Sequence, residues 1–125
     1  MKLNGKVALI TGGGTGIGRA ISNYFAKEGA DVAINYSKSE AEAVKTSAEL
    51  KGLGVSSSVV RADVSSDKQV RAMVDQIQKE FGRIDILVNN AGFTRFIQHS
   101  DLEAMNEEIW DRIMHVNLKG AFFCC

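Results

Sequence analysis

Hydrophobic and polar positions are arranged in blocks along this chain, where short apolar runs are followed by longer segments with helical spacing. The apolar runs fall at residues 7–10, 31–36, 57–63 and 84–88, and each has the length of a buried strand. Helical segments follow the first three runs. The third is the clearest, with apolar residues at Val70, Met73, Val74, Ile77 and Phe81. Strands that alternate with helices predict an α/β fold on a parallel sheet.

The handedness of the connections predicts how the strands are ordered. Right-handed crossovers place the third strand outside the second and the fourth strand on the far side of the first, which gives the order 3-2-1-4. With helices on both faces, this is a Rossmann-type sheet in three layers. Ligands bind such sheets where the strand order reverses. The turn after the first strand and residues 89–92 should therefore face each other across a crevice.

Several side chains predict where the helices begin and end. Gly29 follows a basic last turn and is expected to stop the first helix. Ser39 with Glu42 has the spacing of a capping box for the second helix. Either Ser65 or Ser66 is expected to cap the third helix.

Helical spacing also predicts which faces are buried. The first helix is expected to bury Ile17, Ala20, Ile21, Tyr24 and Phe25. The second helix is expected to bury Val44, Ala48 and Leu50. A last helix from Glu108 onward is expected to bury Trp110, Ile113, Met114, Asn117, Ala121 and Phe122.

The last helix has no predicted cap before residue 125, and one sheet edge stays open beside the fourth strand. Both features lead us to expect a truncated chain. Residues 1–125 would then be the N-terminal dinucleotide-binding part of a single Rossmann domain with an incomplete C-terminal half. Residues 93–100 are expected to be a loop, and residues 101–108 to hold a short helical piece.

Composition narrows the function classes. The 125 residues are 45% hydrophobic and 24% charged, which is typical of one soluble domain. Fifteen basic residues balance fifteen acidic ones, so no nucleic-acid partner is expected. The N-terminus is too polar for a signal peptide and no apolar run reaches membrane-spanning length. The two adjacent cysteines, Cys124 and Cys125, make no disulfide framework, which favours a reducing cytoplasm.

The most informative stretch is the glycine cluster between the first strand and the first helix. Gly12, Gly16 and Gly18 follow the spacing G-x-x-x-G-x-G, with Gly13 and Gly14 between them. The N–H groups at the start of the helix have no helical acceptors, and the macrodipole adds partial positive charge there. A diphosphate is the natural occupant. A merely flexible glycine loop is the alternative, although it does not explain the strand before it and the helix after it.

Motifs in four places now support a family resemblance: residues 11–18, Asp63 with Val64, residues 89–92 (Asn-Asn-Ala-Gly) and Asn117. Together they resemble the short-chain dehydrogenase/reductase family across the whole chain. Residues 3–12 and 116–120 are similar to its 3-oxoacyl-(acyl-carrier-protein) reductase and glucose dehydrogenase members.

This resemblance implies a dinucleotide cofactor and assigns its site. The diphosphate and its ribose would lie against Gly12, Gly14, Thr15, Gly16, Ile17 and Gly18. Asp63 would bind the adenine ring with Val64 beside it, and a helix N-cap is the alternative role of Asp63. Asn90, Ala91 and Gly92 would lie under the nicotinamide-side ribose, although Asn89 and Asn90 are also typical of a plain turn.

The end of the second strand bears on the choice between NAD(H) and NADP(H). An acidic residue there would hold the ribose 2′-hydroxyl of NAD and repel a 2′-phosphate. This chain has Asn35, Tyr36, Ser37 and Lys38 instead, whose neutral and cationic groups suit a phosphate. NADP(H) is therefore the expected cofactor and NAD(H) the alternative. Replacing Asn35 by Asp is expected to shift the preference toward NAD.

The resemblance also implies a catalytic set of Asn, Ser, Tyr and Lys, of which this sequence supplies Asn117. The family's Tyr precedes its Lys in a Y-x-x-x-K motif, whereas Tyr24 is followed by Glu28 and Tyr36 by Glu40. In the family, the Asn at this position helps to hold a water in a proton relay. A satisfied core asparagine is the alternative role of Asn117.

The resemblance implies an NADP(H)-dependent oxidoreductase that acts on a small carbonyl or secondary alcohol and forms a homo-oligomer, a dimer or tetramer, when intact. Without the Ser, Tyr and Lys, the 125-residue chain is expected to be inactive. The alternative is a catalytically inactive nucleotide-binding or subunit-interaction fragment. A methyltransferase-type Rossmann domain is disfavoured by Asn35, because an acidic residue is expected there. No metal is expected, since His99, His115, Cys124 and Cys125 fit no common zinc spacing.

Overall fold

The computed structural model describes residues 1–92, 100 and 102–125, and within them strands and helices alternate as predicted. The strands are β1 (Val7–Ile10), β2 (Asp31–Tyr36), β3 (Ser57–Arg61) and β4 (Ile86–Val88). The helices are α1 (Gly16–Lys27), α2 (Glu40–Gly52), α3 (Asp67–Phe81), α4 (Glu107–Met114) and α5 (Gly120–Cys124). A 3₁₀ turn covers Leu102–Ala104, and a π-helical segment, His115–Lys119, joins α4 to α5.

The four strands form one parallel sheet in the order β3-β2-β1-β4. Leu9 of β1 lies in register with Ala33 of β2 on one side and with Leu87 of β4 on the other. This confirms the predicted order 3-2-1-4 and the Rossmann-type fold. The strand order reverses at β1 and β4, so the carboxyl ends of these two strands lie side by side.

Alternate residues of each strand supply two separate cores. One face of the sheet packs Leu9, Ala33 and Val60 against Met73 and Ile77 of α3. The opposite face packs Ile10, Val32 and Ile34 against Ala26 of α1 and Leu50 of α2. This alternation is the period of two that side chains follow along a strand, and it makes the predicted third layer.

The predicted inner face of α1 was partly wrong. Ile21 and Phe25 pack against the core, but Ile17 is 74% exposed and Tyr24 is 60% exposed. The fully buried positions of α1 are the small residues Gly18, Ser22 and Ala26. In α2, Val44 is exposed, and the buried residues are Ala43, Thr46, Ser47 and Leu50. Small side chains face the sheet because they let the helix approach it closely, which hydrophobic spacing alone does not reveal.

The predicted caps also had mixed outcomes. Gly29 follows α1 with a φ of 93°, and Ser66 caps α3 by accepting a hydrogen bond from the Gln69 N–H at 3.3 Å. Ser39 stands at the N-cap of α2, but within the described chain its side chain makes no capping hydrogen bond. The capping box expected from Ser39 and Glu42 was therefore wrong.

The predicted stripe of the last helix was largely wrong as well. Trp110 is 57% exposed and Phe122 is 75% exposed, whereas Val116 and Gly120 are buried. A Cβ added to Gly120 would lie 2.6 Å from Cγ2 of Val64, so this glycine lets the helix pack directly on the segment after β3. The helix thus packs on the core through Val116, Gly120 and Phe123, whereas Trp110 and Phe122 point outward.

The segment between β4 and α4 is described only in part. The helical piece expected within residues 101–108 is present as the 3₁₀ turn, while the loop expected at residues 93–100 lies almost wholly outside the described residues. In the part of the chain that the structure describes, no helix is both long and apolar enough to cross a membrane.

Candidate functional site

A cavity of about 350 Å³ opens at the carboxyl ends of the strands, where β1 and β4 lie side by side. Its volume is within the range of small-molecule sites. Sixteen of the described residues line it, and twelve of these are ones that the sequence pointed to as a cofactor site: Gly12, Gly14, Thr15, Asn35, Tyr36, Ser37, Lys38, Asp63, Val64, Asn90, Ala91 and Gly92. The remaining four are Ser39, Ala62, Arg112 and Val116.

Thr11 holds the two sides of this cavity together. Its side chain is buried, and its Oγ1 accepts hydrogen bonds from the N–H groups of Asn90 and Ala91, each at 3.0 Å. The same hydroxyl lies 3.3 Å from the Val88 carbonyl oxygen, to which it donates. The turn after β1 (the glycine turn, residues 11–18) and the corner after β4 (residues 89–92) are therefore joined through the Thr11 side chain, as expected for two segments that face each other.

The three carbonyl groups of the glycine turn are each bound by a side chain from a different part of the fold. The Gly12 carbonyl accepts from Nδ2 of Asn90 at 3.1 Å, and the Gly13 carbonyl from Oγ of Ser22 at 2.9 Å. The Gly14 carbonyl accepts from Oγ1 of Thr46, a buried residue of α2, at 3.0 Å. These bonds fix the peptide planes of the turn.

Thr15, the N-cap residue of α1, lines this cavity, and the first turn of the helix follows it directly. The first i to i−4 hydrogen bond runs from the Arg19 N–H to the Thr15 carbonyl at 3.0 Å, so the preceding N–H groups of the helix have no helical acceptor. Among the described residues, the Thr15 side chain makes no capping bond to them. This end of the helix carries partial positive charge and suits an anion such as a diphosphate.

Two glycines are required by the shape of this turn. Gly12 has a φ of 63°, which side-chain-bearing residues rarely adopt, and it turns the chain out of β1. A Cβ on Gly18 would lie 2.1 Å from the Gly12 carbonyl oxygen, so α1 could not pack against the turn with any other residue there. Gly18 is thus a packing residue, and with Gly16 and Ile17 it lies outside the cavity lining.

Asn35 is buried and bonded to backbone atoms on both sides. Its Oδ1 accepts from the Gly12 N–H at 3.3 Å, and its Nδ2 donates to the Ala62 carbonyl at 3.0 Å. The amide therefore joins the glycine turn to the end of β3. A carboxylate cannot donate to Ala62, so an Asn35→Asp change would also break this link, and the expected shift toward NAD stays a prediction. Ser37 and Lys38, which follow β2, are exposed at the cavity rim.

Asp63 follows β3 and is hydrogen-bonded from two directions. Its Oδ1 accepts from the Ser65 N–H at 2.9 Å and from the Ser65 hydroxyl at 2.6 Å, and its Oδ2 accepts from Arg112 at 3.1 Å. Burial alone raises the pKa of the Asp63 carboxyl, but these hydrogen bonds outweigh it and hold the pKa below its ordinary value. The N-cap of α3 is Ser66, so the alternative role of Asp63 as that cap was wrong.

Asn117 lies in the π-helical segment and is exposed, not buried on an apolar face as expected. Its Oδ1 would lie 3.4 Å from a Cβ added to Gly92, which puts its amide beside the corner after β4. Single π-helical turns within helices are frequent at functional sites.

Arg112 and Val116 line the cavity and were missed in the sequence. They are one helical turn apart on the last helix, on the side that meets the sheet. The assumed stripe, which started at Trp110, placed both of them on another face. No local motif marks either residue, because Arg112 meets Asp63 only through the fold.

The residues present fit a dinucleotide in three respects: helix N–H groups for a diphosphate, an ionised carboxylate beside apolar residues for a base, and exposed Ser37 and Lys38 for a further phosphate. Within the described ranges, no group of three or more His, Cys, Asp or Glu residues is placed to hold a metal ion. His99 lies outside those ranges.

Comparisons with known proteins agree with one another. The family model for short chain dehydrogenases matches residues 6–125. The chain is 43% identical over 119 residues to 3-oxoacyl-(acyl-carrier-protein) reductase FabG of Staphylococcus aureus, covering 95% of this chain and 47% of that protein. It is 47% identical over 109 residues to the short-chain dehydrogenase/reductase homolog YusS of Bacillus subtilis, covering 87% of this chain and 100% of that protein.

A solved structure of a short chain dehydrogenase from Burkholderia cenocepacia, in complex with NADP, superposes with a TM-score of 0.93 at 39% identity. The superposition covers 99% of this chain and 49% of that one. The chain thus spans about half the length of the FabG relative and of this structural neighbour, but the whole of YusS.

Proposed function

The chain belongs to the short-chain dehydrogenase family, and from that premise we propose that it is the cofactor-binding portion of an NADP(H)-dependent oxidoreductase. The reaction is the interconversion of a small carbonyl compound and a secondary alcohol. The observation that carries this proposal is the cavity between the glycine turn and the corner after β4, tied together by Thr11.

In this proposal the N–H groups at the start of α1 bind the diphosphate. Gly12, Gly14 and Thr15 line the cavity next to that end of the helix, and the carbonyls of Gly12 and Gly14 are bound by side chains. Bound carbonyls are held in one orientation, so the turn does not have to reorganise when an anion arrives. A turn that is already held in its binding conformation favours binding, because less conformational entropy is lost on association.

The adenine end and the nicotinamide end of the dinucleotide bind on opposite sides of the cavity. Asp63 and Val64 receive the adenine, where an ionised carboxylate accepts a hydrogen bond beside an apolar wall. Asn90, Ala91 and Gly92 receive the nicotinamide-side ribose. Arg112 and Val116 belong to the adenine side of the cavity, since Arg112 contacts Asp63 directly.

The preference for NADP(H) over NAD(H) rests on the loop after β2. Lys38 is exposed at the cavity rim, and no acidic residue is present from Asn35 to Ser39. The ammonium group of Lys38 and the hydroxyl of Ser37 suit a 2′-phosphate. The buried amide of Asn35 is hydrogen-bonded to the backbone at Ala62.

When bound, the nicotinamide supplies the hydride chemistry. Asn117, beside Gly92, is the catalytic residue of the family pattern present in this chain. The Ser and the Y-x-x-x-K pair are absent from its 125 residues, so we expect nucleotide binding without turnover. A steady oxidation of NADPH by the purified chain with a carbonyl substrate would contradict this part of the proposal.

The binding test compares NADP⁺ with NAD⁺ by isothermal titration of the wild-type chain and of Lys38→Ala. We expect Lys38→Ala to weaken NADP⁺ binding about tenfold and to leave NAD⁺ binding unchanged. Lys79→Ala, which removes an exposed lysine of α3 outside the cavity lining, is the control and should change neither affinity. Failure of the wild-type chain to bind either nucleotide would refute the proposed function.

A second function, subunit association, is supported by a separate observation. Trp110, Met114, Leu118 and Phe122 recur every four residues on the last helix and are 57%, 37%, 61% and 75% exposed. A stripe of large apolar residues in water is typical of an interface. We expect self-association of the chain, measured by sedimentation velocity, which Phe122→Glu reduces. Tyr24→Glu, at a tyrosine 60% exposed on α1, is the matched control, and equal effects of the two changes would contradict this function.

A further inference from the structure

Arg112 makes a contact that links two distant parts of the chain beside the cavity. Its Nη1 lies 3.1 Å from Oδ2 of Asp63 and 3.1 Å from Oγ of Ser65. Arg112 comes from α4 and Asp63 from the end of β3, 49 residues apart in sequence. Both Arg112 and Asp63 line the cavity, and their side chains are 33% and 32% exposed.

The contact completes the hydrogen bonding that orients the Asp63 carboxylate. Ser65 binds Oδ1 through its N–H and its hydroxyl, and the guanidinium of Arg112 binds Oδ2. A carboxylate held at both oxygens cannot rotate about its last torsion without breaking one of these bonds. Since each oxygen has two lone-pair sites, one acceptor site on Oδ2 stays available for a further donor.

The surroundings indicate the kind of donor that this acceptor site meets. Ala62, Val64 and Val116 line the cavity with Asp63 and give it an apolar wall. A flat ring resting against that wall would present its edge to Oδ2. An amino group on that edge would donate to the carboxylate, whereas a carbonyl oxygen at the same position would be repelled by it.

We propose that Arg112 is a positioning residue that aims the Asp63 carboxylate at the exocyclic amino group of the purine, and so makes the site selective for adenine over 6-oxopurines. This inference rests on the proposed nucleotide-binding function. It adds a residue of the last helix to the recognition of the base. Arg112 does not touch the base in this role but acts through the orientation of Asp63.

The test uses NADP⁺ and its deamino analogue, in which hypoxanthine replaces adenine and a carbonyl replaces the amino group. Both carry the same phosphates and ribose, so their affinity ratio isolates the edge of the base. We expect the wild-type chain to bind NADP⁺ about tenfold more tightly than the analogue, because a site built for a donor rejects a ligand that lacks it.

The variants separate positioning from folding. Arg112→Met should bring the affinity ratio close to one, and Arg112→Lys should keep part of the selectivity because an ammonium group still donates to Oδ2. Arg71→Met removes another arginine paired with an aspartate, Asp67, at 2.8 Å on the exposed side of α3, and should keep the wild-type ratio. Thermal unfolding of each variant reports its folding, and Arg112→Lys carries the test if Arg112→Met does not fold.

Each outcome decides something different. A selective wild-type chain whose ratio is unchanged in both Arg112 variants would overturn the role of Arg112 and leave the proposed function standing. A wild-type chain that binds both nucleotides equally would overturn the inference in the same way. A chain that binds neither nucleotide would overturn the proposed function, and the inference with it.

Discussion

The side-chain amide of Asn35 donates a hydrogen bond to the carbonyl oxygen of Ala62 at 3.0 Å, from a side chain that is only 2% exposed. Its oxygen accepts from the Gly12 N–H at 3.3 Å. This residue lines the cavity, as expected for a cofactor-binding residue, and it also connects the end of β3 to the turn after β1. Its substitution therefore tests the architecture of the site before it tests nucleotide preference.

Asn35→Asp should destabilise the chain by about 3 kcal/mol, because it replaces a buried donor by a charge that faces carbonyl oxygens. The measurement is urea unfolding followed by circular dichroism. Asn106→Asp is the matched control, since Asn106 is the exposed N-cap of α4 and a carboxylate serves equally well there. If the two changes lower the free energy of unfolding equally, the buried hydrogen bonds of Asn35 do not stabilise the chain as proposed.

Gly18→Ala should destabilise the fold by about 3 kcal/mol and abolish nucleotide binding. The added methyl carbon would lie 2.1 Å from the Gly12 carbonyl oxygen and 2.5 Å from Nδ2 of Asn90, so the turn and α1 would have to separate. Gly52→Ala adds the same atom at the end of α2 with nothing within 4 Å and should be nearly neutral. Thermal unfolding and nucleotide titration of both variants measure the contrast, and a stable Gly18→Ala chain that still binds would refute this packing.

Ionised Asp63 should stabilise the folded chain at neutral pH and lose that effect in acid. The hydrogen bonds and charge around Asp63 outweigh its burial and lower its folded pKa below the unfolded value, so its contribution is present above about pH 4 and is lost as the pH falls through the folded pKa. Asp63→Asn should therefore cost about 1 kcal/mol at pH 7 and less at pH 2.5. Melting temperatures at the two pH values measure this. Asp75→Asn, at an exposed aspartate of α3, is the control.

The two cysteines should react at different rates. Burial, with a smaller effect of the neighbouring Cys125, raises the pKa of the Cys124 thiol to about 11, and Cys125 itself is exposed. Because the thiolate is the reactive form, iodoacetamide should label Cys125 in a Cys124→Ser chain at least about tenfold faster than Cys124 in a Cys125→Ser chain. Mass spectrometry follows the labelling. The difference should vanish in denaturant, and equal rates in the folded chain would contradict the burial of Cys124.

The order of the strands followed directly from the sequence, because alternating apolar runs and helical segments leave few ways to connect a parallel sheet. The faces of the helices did not follow so readily. Hydrophobic spacing favoured Ile17 and Tyr24 in α1 and Trp110 and Phe122 in the last helix, yet all four are mostly exposed. Close packing against a sheet selects small residues, and a hydrophobicity pattern gives a small residue no weight.

The residues of the candidate site were also predictable only in part. Its glycines, Asp63 and the corner after β4 were visible as motifs because local chemistry requires those residue types at those positions. Arg112 could not be found in this way, since its partner Asp63 is 49 residues away and only the fold brings them together. Asn35 was visible as a residue of the site, but its hydrogen bonds to the backbone were not, because a sequence does not show which groups a side-chain amide binds.

The binding of the glycine-turn carbonyls by Ser22, Thr46 and Asn90 has a consequence for the order of folding. These partners lie 9, 32 and 78 residues from the groups they bind, and Asn90 follows the last strand of the sheet. The turn reaches its final shape only after β4 has docked beside β1. During synthesis the first strand leaves the ribosome early, but the loop that follows it matures late, so acquisition of nucleotide affinity would report that β4 has docked beside β1.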